Sequence, residues 1–149
     1  MPVQDPVSGN DSGAGPLLNA DVDLGLVLVV ASAAVERVVI SRIVERTGYR
    51  TLSRALAEAT PPPGHGLPAL VILDGTAGGE SDRLVERFTR LRRPTGGAQA
   101  PLVILLGNAG PPERQVRAAG IVDMVVARPI TPDRLQPIIR DMMERLRGS

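Results

Sequence analysis

Short aliphatic runs alternate with helix-like segments along most of the chain. Runs of this length, bounded by Gly, Pro or polar residues, are typical of strands buried on both faces. The predicted strands cover residues 24–30, 50–55, 69–74, 102–106 and 123–127, of which 50–55 is the weakest. Each is followed by a helix-like segment, and this alternation predicts five parallel strands with helices on both faces of the sheet.

The helical segments show apolar residues at 3.6-residue spacing. Helices are predicted over residues 33–47, 56–60, 81–92, 111–120 and from about 133 to the end. In the first, Ser32 is the expected N-cap and Gly48 the expected C′ residue. Its core-facing stripe is predicted to be Val35, Val38, Val39, Ile43 and Val44.

Two later helices carry further expectations. In the helix at 81–92 the apolar side faces the core, and the Arg side, continued by nearby arginines, is interpreted as a solvated face. The core side is Leu84, Val85, Phe88 and Leu91, and the arginines are Arg83, Arg87, Arg90, Arg92 and Arg93. In the last helix, Asp133 as the cap would place Pro137 in the first turn, where a missing N–H costs little; otherwise a kink is expected.

Composition changes this picture in only a few respects. Residues 1–20 are rich in Pro, Gly, Ser, Asn and Asp and are predicted to be a disordered leader, so residues 21–149 form one domain. The net charge of +1 gives no reason to expect nucleic acid or a membrane as a partner. No cysteine, no lysine and a single histidine, His65, exclude thiolate, Schiff-base and histidine-metal chemistry. Without a signal peptide or spanning segment, the cytoplasm is the expected location.

One carboxylate stands out in this pattern. Asp74 directly follows the apolar run Val71-Ile72-Leu73, and ligands in open α/β sheets bind at the carboxyl ends of the strands. Asp74 is therefore a candidate reactive acid. The alternative is structural, because a strand-ending Asp can cap the turn that follows it.

Three motifs in order resemble the receiver domain of two-component response regulators. They are VILD at 71–74, PLVILLGNA at 101–109 and MVVARPIT at 124–131. The resemblance covers nearly all of the chain after the leader. It implies a flavodoxin-like fold with strand order 2-1-3-4-5 and makes Asp74 the candidate phospho-acceptor.

The chain departs from the receiver pattern around this acid. Ala31 and Ser32 stand where active receivers carry two acids, and Leu106 stands where a Thr or Ser is usual. Arg128 aligns with the usual Lys, although Ala127 is the alternative alignment. Because Mg²⁺ prefers several hard oxygen ligands, this degenerate pocket predicts weak metal binding and poor phosphorylation.

Two compensations remain open for the pocket. Arg128 could pair directly with Asp74 and neutralise it permanently. Glu36, about one turn beyond Ser32, could restore a second acid and part of the metal affinity. We therefore expect no cofactor, and Mg²⁺ only if Asp74 is phosphorylated.

Three functions follow from these expectations. The first is a stand-alone atypical receiver that is not an enzyme and binds a histidine kinase, a phosphotransferase or another regulator, with a homodimer through the last strand and helix suggested by analogy. The second is a working receiver phosphorylated on Asp74. The third, a nucleotide or flavin protein, is disfavoured because no Gly-rich phosphate loop follows the first strand.

Overall fold

The structure is a computed structural model, and it describes residues 22–59, 66–75, 79–96, 98–107 and 122–148. Within them lie seven strands and three α-helices. The strands are β1 Val22–Val30, β2 Arg50–Arg54, β3 Leu67–Asp74, β4 Arg93–Pro94, β5 Gln99–Ala100, β6 Leu102–Gly107 and β7 Met124–Ala127. The helices are α1 Ala34–Glu45, α2 Gly79–Arg90 and α3 Pro132–Arg147. The leader predicted at 1–20 lies outside the described residues.

The main sheet has five strands in the order β2-β1-β3-β6-β7. All neighbouring pairs are parallel. Counted without the short β4–β5 hairpin, this is the predicted order 2-1-3-4-5, and the flavodoxin-like fold is confirmed. The five main strands run in the same direction. This requires crossover connections, each of which leads from the end of one strand back to the opposite edge of the sheet, where the next strand starts.

Side chains from the two faces of the sheet build two aliphatic clusters. One cluster lies under α1 and α3, where strand residues such as Val27, Ile72 and Ile104 meet the helices. The other lies under α2, where Leu28, Val71 and Val103 do the same. Successive residues of β3 point to opposite faces of the sheet. Because both faces are covered by these clusters, β3 is buried along its whole length. No described helix has the length and apolarity to span a bilayer.

The apolar stripe of α1 was predicted wrongly in part. Ile43 and Val44 are buried, together with Ile40, whereas Val35, Val38 and Val39 are exposed. Seven apolar residues lie scattered around this helix, so periodicity alone did not define one face. The sheet buries the side that carries Ile40, Ile43 and Val44, because those side chains reach the cluster under α1 and α3.

The caps of α1 also differ from the prediction. The N-cap is Ala33 rather than Ser32, and its side chain makes no capping hydrogen bond. The helix ends at Glu45, and Gly48 takes a φ of +99° two residues beyond the C-cap Arg46. That left-handed conformation favours glycine. Gly48 therefore terminates the turn as expected, one position later than C′.

Two further segments differ from expectation. The helix predicted at 56–60 is a single 3₁₀ turn over Leu56–Glu58. The loop predicted at 94–100 contains β4 and β5, which pair antiparallel. The helix predicted at 111–120 lies outside the described residues.

The last helix begins at Pro132, with Thr131 rather than Asp133 as N-cap. Proline suits the first helical position because its fixed φ fits there and its missing N–H needs no partner. Pro137 consequently lies inside the helix instead of in its first turn. Five side chains of this helix are buried at the predicted spacing, namely Leu135, Ile139, Met142, Met143 and Leu146.

Arg92 is not part of a solvated arginine face. Its Nη2 lies 2.6 Å from Asp123 Oδ2, and its Nε donates to the carbonyl of Pro101 at 3.1 Å. The same Asp123 oxygen accepts a hydrogen bond from the Val103 N–H at 2.8 Å. Arg83, Arg87 and Arg90 are exposed as predicted.

We expect Asp123→Ala to lower the free energy of unfolding by about 1.5 kcal/mol, because it removes the acceptor of the Arg92 guanidinium and the Val103 N–H. Chemical denaturation measures this. Asp141→Ala on the exposed side of α3 is the matched control and is expected to change stability by less than about 0.5 kcal/mol. Equal effects of the two substitutions would contradict a structural role for the Asp123 network.

Candidate functional site

The carboxyl ends of four neighbouring strands form one edge of the sheet. Ala31 follows β1, Asp74 ends β3, Leu106 lies near the end of β6 and Arg128 follows β7. The parallel register places Asp74 opposite Leu106. The fold thus brings the predicted pocket residues to a single edge.

Asp74 is buried, with 6% of its surface exposed. Its backbone carbonyl accepts a hydrogen bond from the buried Ser81 hydroxyl at 2.6 Å, which connects the end of β3 to the first turn of α2. The next residue, Gly75, has no space for a side chain: a Cβ there would lie 2.8 Å from Leu105 Cγ and 3.0 Å from the Leu106 carbonyl oxygen. The backbone at Asp74 is therefore closely held.

Arg128 lies between two carboxylates. Its Nη2 is 2.6 Å and 2.7 Å from the two oxygens of Glu36 and 3.4 Å from Oδ1 of Asp74. Its backbone N–H donates to the Gly107 carbonyl at 3.0 Å, which fixes the start of the side chain beside β6. The ion pair expected between Arg128 and Asp74 is present, but the shorter contacts are with Glu36.

This cluster is partly shielded from water. The exposed fractions of the side chains are 25% for Arg128, 24% for Glu36 and 9% for Asp74. One guanidinium faces two carboxylates, so the formal charges of the three groups sum to one negative charge. Partial burial strengthens each attraction relative to bulk water, and it strengthens the repulsion between the two carboxylates as well.

A second arginine holds the loop that follows β1. Arg37 Nη1 donates to the carbonyl oxygens of Ala31 at 2.6 Å and Ser32 at 3.0 Å. The Ala31 N–H in turn donates to the Arg54 carbonyl at 3.2 Å. The loop is thus fixed by contacts to its backbone. Its side chains add no acid, because Ala31 is a buried methyl group and Ser32 is exposed.

The residues at this edge do not fit Mg²⁺ in the way the resemblance implies. Mg²⁺ requires near-octahedral oxygen coordination. Leu106 is a fully buried apolar side chain, and the guanidinium of Arg128 already lies against both Glu36 and Asp74. Within the described ranges, no cluster of three or more acidic, His or Cys side chains could hold a metal ion.

The sequence places Asp74, Leu106 and Arg128 at one edge of the sheet but gives no sign of several contacts there. The sequence offers Glu36 only as an added acid, whereas the structure makes it the nearer partner of Arg128, at 2.6 Å against 3.4 Å for Asp74. The available signal was its place in the first turn of α1, directly after the loop that ends β1. Arg37 was missed entirely, because an arginine that binds backbone carbonyls has no sequence signature. Residues 76–78, where Asp74 could cap a turn, lie outside the described residues.

The fold is that of response-regulator receiver domains. The chain superposes on a CheY-like receiver domain from Methanospirillum hungatei JF-1 with a TM-score of 0.68 at 19% identity, covering 83% of this chain and 97% of that one. The receiver domain of a signal transduction histidine kinase from Syntrophus aciditrophicus gives 0.66 at 21% identity, with coverages of 84% and 94%. NtrX from Brucella abortus gives 0.60 at 21% identity over 80% of this chain.

The match to NtrX covers only 26% of that protein, so the present chain spans about a quarter of it. No family model matches the sequence, and no curated protein matches it. At these identities the likeness establishes the receiver fold. What the chain does must be argued from its own site.

Proposed function

We propose that this chain is an atypical receiver of a two-component or phosphorelay pathway, which acts by binding a protein partner and is poorly phosphorylated through Mg²⁺. The observation that carries the proposal is the guanidinium of Arg128, within 3.4 Å of Asp74 and 2.7 Å of Glu36. A fixed side-chain cation here supplies part of the neutralisation that a metal would supply elsewhere. The centre is then held in one electrostatic state without phosphate.

The chemistry of phosphoryl transfer supports the same conclusion. The transferred group needs positive charge around its equatorial oxygens, and an attacking carboxylate needs room in line with the leaving group. Asp74 and Glu36 together place two negative charges at the edge, of which Arg128 balances one. The buried Leu106 opposite Asp74 offers no hydroxyl donor to the incoming group.

The partner we propose is a histidine kinase, a phosphotransferase or another regulator, with binding rather than catalysis as the output. Receiver neighbours with the same fold are described as a CheY-like domain and as a domain of a signal transduction histidine kinase. A homodimer through β7 and α3 remains a proposal by analogy. Cytoplasmic location is proposed on the same grounds.

We expect the purified chain to gain no phosphate when it is incubated with Mg²⁺ and a small-molecule phosphodonor such as acetyl phosphate. The physical reason is the shortage of oxygen ligands beside Asp74. Intact-protein mass spectrometry measures the gain. An Ala31→Asp/Ser32→Asp variant, which puts two carboxylates at the end of β1, is expected to gain Mg²⁺-dependent phosphate, and Asp74→Asn in that background removes it.

A Mg²⁺-dependent mass gain in the unmodified chain that Asp74→Asn abolishes would overturn the proposal. It would favour the alternative, a working receiver phosphorylated on Asp74. The presence of a second carboxylate, Glu36, against the same guanidinium as Asp74 is the observation on the side of that alternative.

A further inference from the structure

The outer face of α1 is apolar where a solvated helix would be polar. Val35, Val38 and Val39 are 76%, 52% and 45% exposed. They lie at i, i+3 and i+4, so they form one continuous stripe. Valine is a poorer helix former than alanine, because its branched side chain loses rotamer freedom in a helix. The three exposed valines do not pack in the core, and valine does not favour helix formation. Neither burial nor helix stability therefore explains their presence on this face.

Two arginines continue this stripe toward the end of the helix. Arg42 and Arg46 are exposed on the same side, at the end of α1 nearest β2. Neither side chain has an ion pair within the described part of the chain. We call Val35, Val38, Val39, Arg42 and Arg46 the valine–arginine face. It combines an apolar half with a cationic half and therefore fits an acidic segment that carries apolar side chains.

A second copy of the chain does not match this face. If two such helices pack antiparallel, the arginines of each meet the valines and the helix N-terminus of the other, and that terminus is itself a positive dipole end. If they pack parallel, arginine faces arginine. Glu45, an acid at the border of the face, accepts a hydrogen bond from the Thr51 hydroxyl at 2.8 Å.

We propose that the N-terminal segment of this same chain, residues 1–21, docks on the valine–arginine face. The segment carries three carboxylates and no basic side chain. Besides Met1, two alanines and three prolines, it carries two valines and two leucines, and each of these pairs can lie on the valines between acid–arginine contacts. Its acids are Asp5, Asp11 and Asp21, and its apolar pairs are Val3 with Val7 and Leu17 with Leu18. Such docking needs no regular structure in the segment.

The point of attachment supports this occupant. The segment joins β1 at Val22, which packs with Leu24 against the same cluster that α1 covers. Residues 1–21 are therefore tethered to the strand whose side chains meet the cluster under α1 and α3. The 12 residues of α1 span roughly 18 Å, whereas 21 extended residues reach about 70 Å. A tether of this length gives an effective concentration of roughly millimolar, so a weak contact suffices.

The contact would cover a surface next to the candidate site. Glu36 lies between Val35 and Val38 in the same helix and holds Arg128. Docking involves only residues 1–21 and α1, so it is independent of phosphorylation at Asp74.

Spin-label broadening in the full chain tests the docking. The chain contains no cysteine, so Ser12→Cys gives a single attachment site for a nitroxide. The expected result is strong broadening of the NMR signals of Val35, Val38 and Val39, with little effect on the outer side of α2, which packs on the opposite face of the sheet. The paired variant Ser12→Cys/Val38→Asp puts an acid on the exposed face without touching the core, and we expect the broadening on α1 to be lost.

Two controls separate this occupant from others. Spin-labelled chain without isotope is mixed with isotope-labelled chain without the spin label. Broadening of α1 in that mixture at the strength seen within one chain means that a second copy binds, and it overturns the proposal. Equal broadening of α1 and α2, or broadening of α1 that Val38→Asp leaves unchanged, overturns it as well.

Discussion

Arg128→Met is expected to lower the free energy of unfolding by about 2 kcal/mol. Methionine keeps much of the side-chain volume but removes the charge that lies 2.6 Å from Glu36 and 3.4 Å from Asp74. The two carboxylates are then left close together and partly buried. Breaking a fully buried pair costs more than this, and we reduce the value because Arg128 and Glu36 are each about a quarter exposed.

The substitution becomes informative as a double-mutant cycle. Glu36→Gln in the Arg128→Met background removes one of the stranded charges, so the double variant should be more stable than the sum of the single effects predicts, by about 1 kcal/mol. Urea denaturation of the four proteins gives the coupling. If the effects add to within about 0.3 kcal/mol, the Glu36–Arg128 contact does not stabilise the fold.

A second arginine provides the control for this cycle. Arg50 pairs with Asp23 at the same 2.6 Å distance, but its side chain is 67% exposed. Arg50→Met is expected to cost less than about 0.5 kcal/mol, since exposed pairs lose most of their attraction to screening and side-chain entropy. Equal losses at Arg50 and Arg128 would contradict the importance that we give to burial at the candidate site.

Phe88→Ala is expected to have the largest effect, a loss of about 4 kcal/mol in the free energy of unfolding. Phe88 is the only phenylalanine in the chain and is completely buried in the cluster under α2. Its truncation loses the transfer energy of the ring and leaves a cavity between helix and sheet. At about 3 °C per kcal/mol for a domain of this size, the melting temperature should fall by about 12 °C.

Phe88→Leu serves as the matched variant. Leucine fills most of the space with an apolar side chain, so the expected loss is about 1.5 kcal/mol or less. A loss for Phe88→Ala no greater than that for Phe88→Leu would show that the cluster under α2 closes around the missing ring. It would also mean that the ring does not set the packing distance between α2 and the sheet.

The candidate site is defined by two oppositely charged side chains that come from different elements of the fold. Arg128 is placed by β7, and Glu36 by the first turn of α1. Their contact joins the helix to the far part of the sheet, and Asp74 lies beside it at the end of the central strand. A ligand that binds at this edge meets an ion pair that is already formed. The pocket therefore differs from one in which the carboxylates have no cationic partner until a metal ion binds.

The sequence by itself determined the framework. Runs such as 70–73 and 102–106 are aliphatic on both faces of a strand, and such runs fold stably only inside a covered parallel sheet. The alternation of these runs with helical segments predicted a parallel sheet and the edge where Asp74 ends its strand, whereas the strand order followed only from the resemblance of the three motifs to receiver domains. The strands and helices themselves are local features, because they depend on the spacing of apolar residues and on the turn residues that end each run.

Only the tertiary structure determined which of several similar residues are buried and which of them form ion pairs. Valines and isoleucines surround α1, and only packing against the sheet buried Ile40 and left Val35 exposed. Arg92 was one arginine among several, and its contact with Asp123 depends on a residue 31 positions away. The Arg128–Glu36 pair spans 92 positions. Long-range ion pairs of this kind carry no periodic signal, because their partners are chosen by the three-dimensional approach of elements rather than by spacing along the chain.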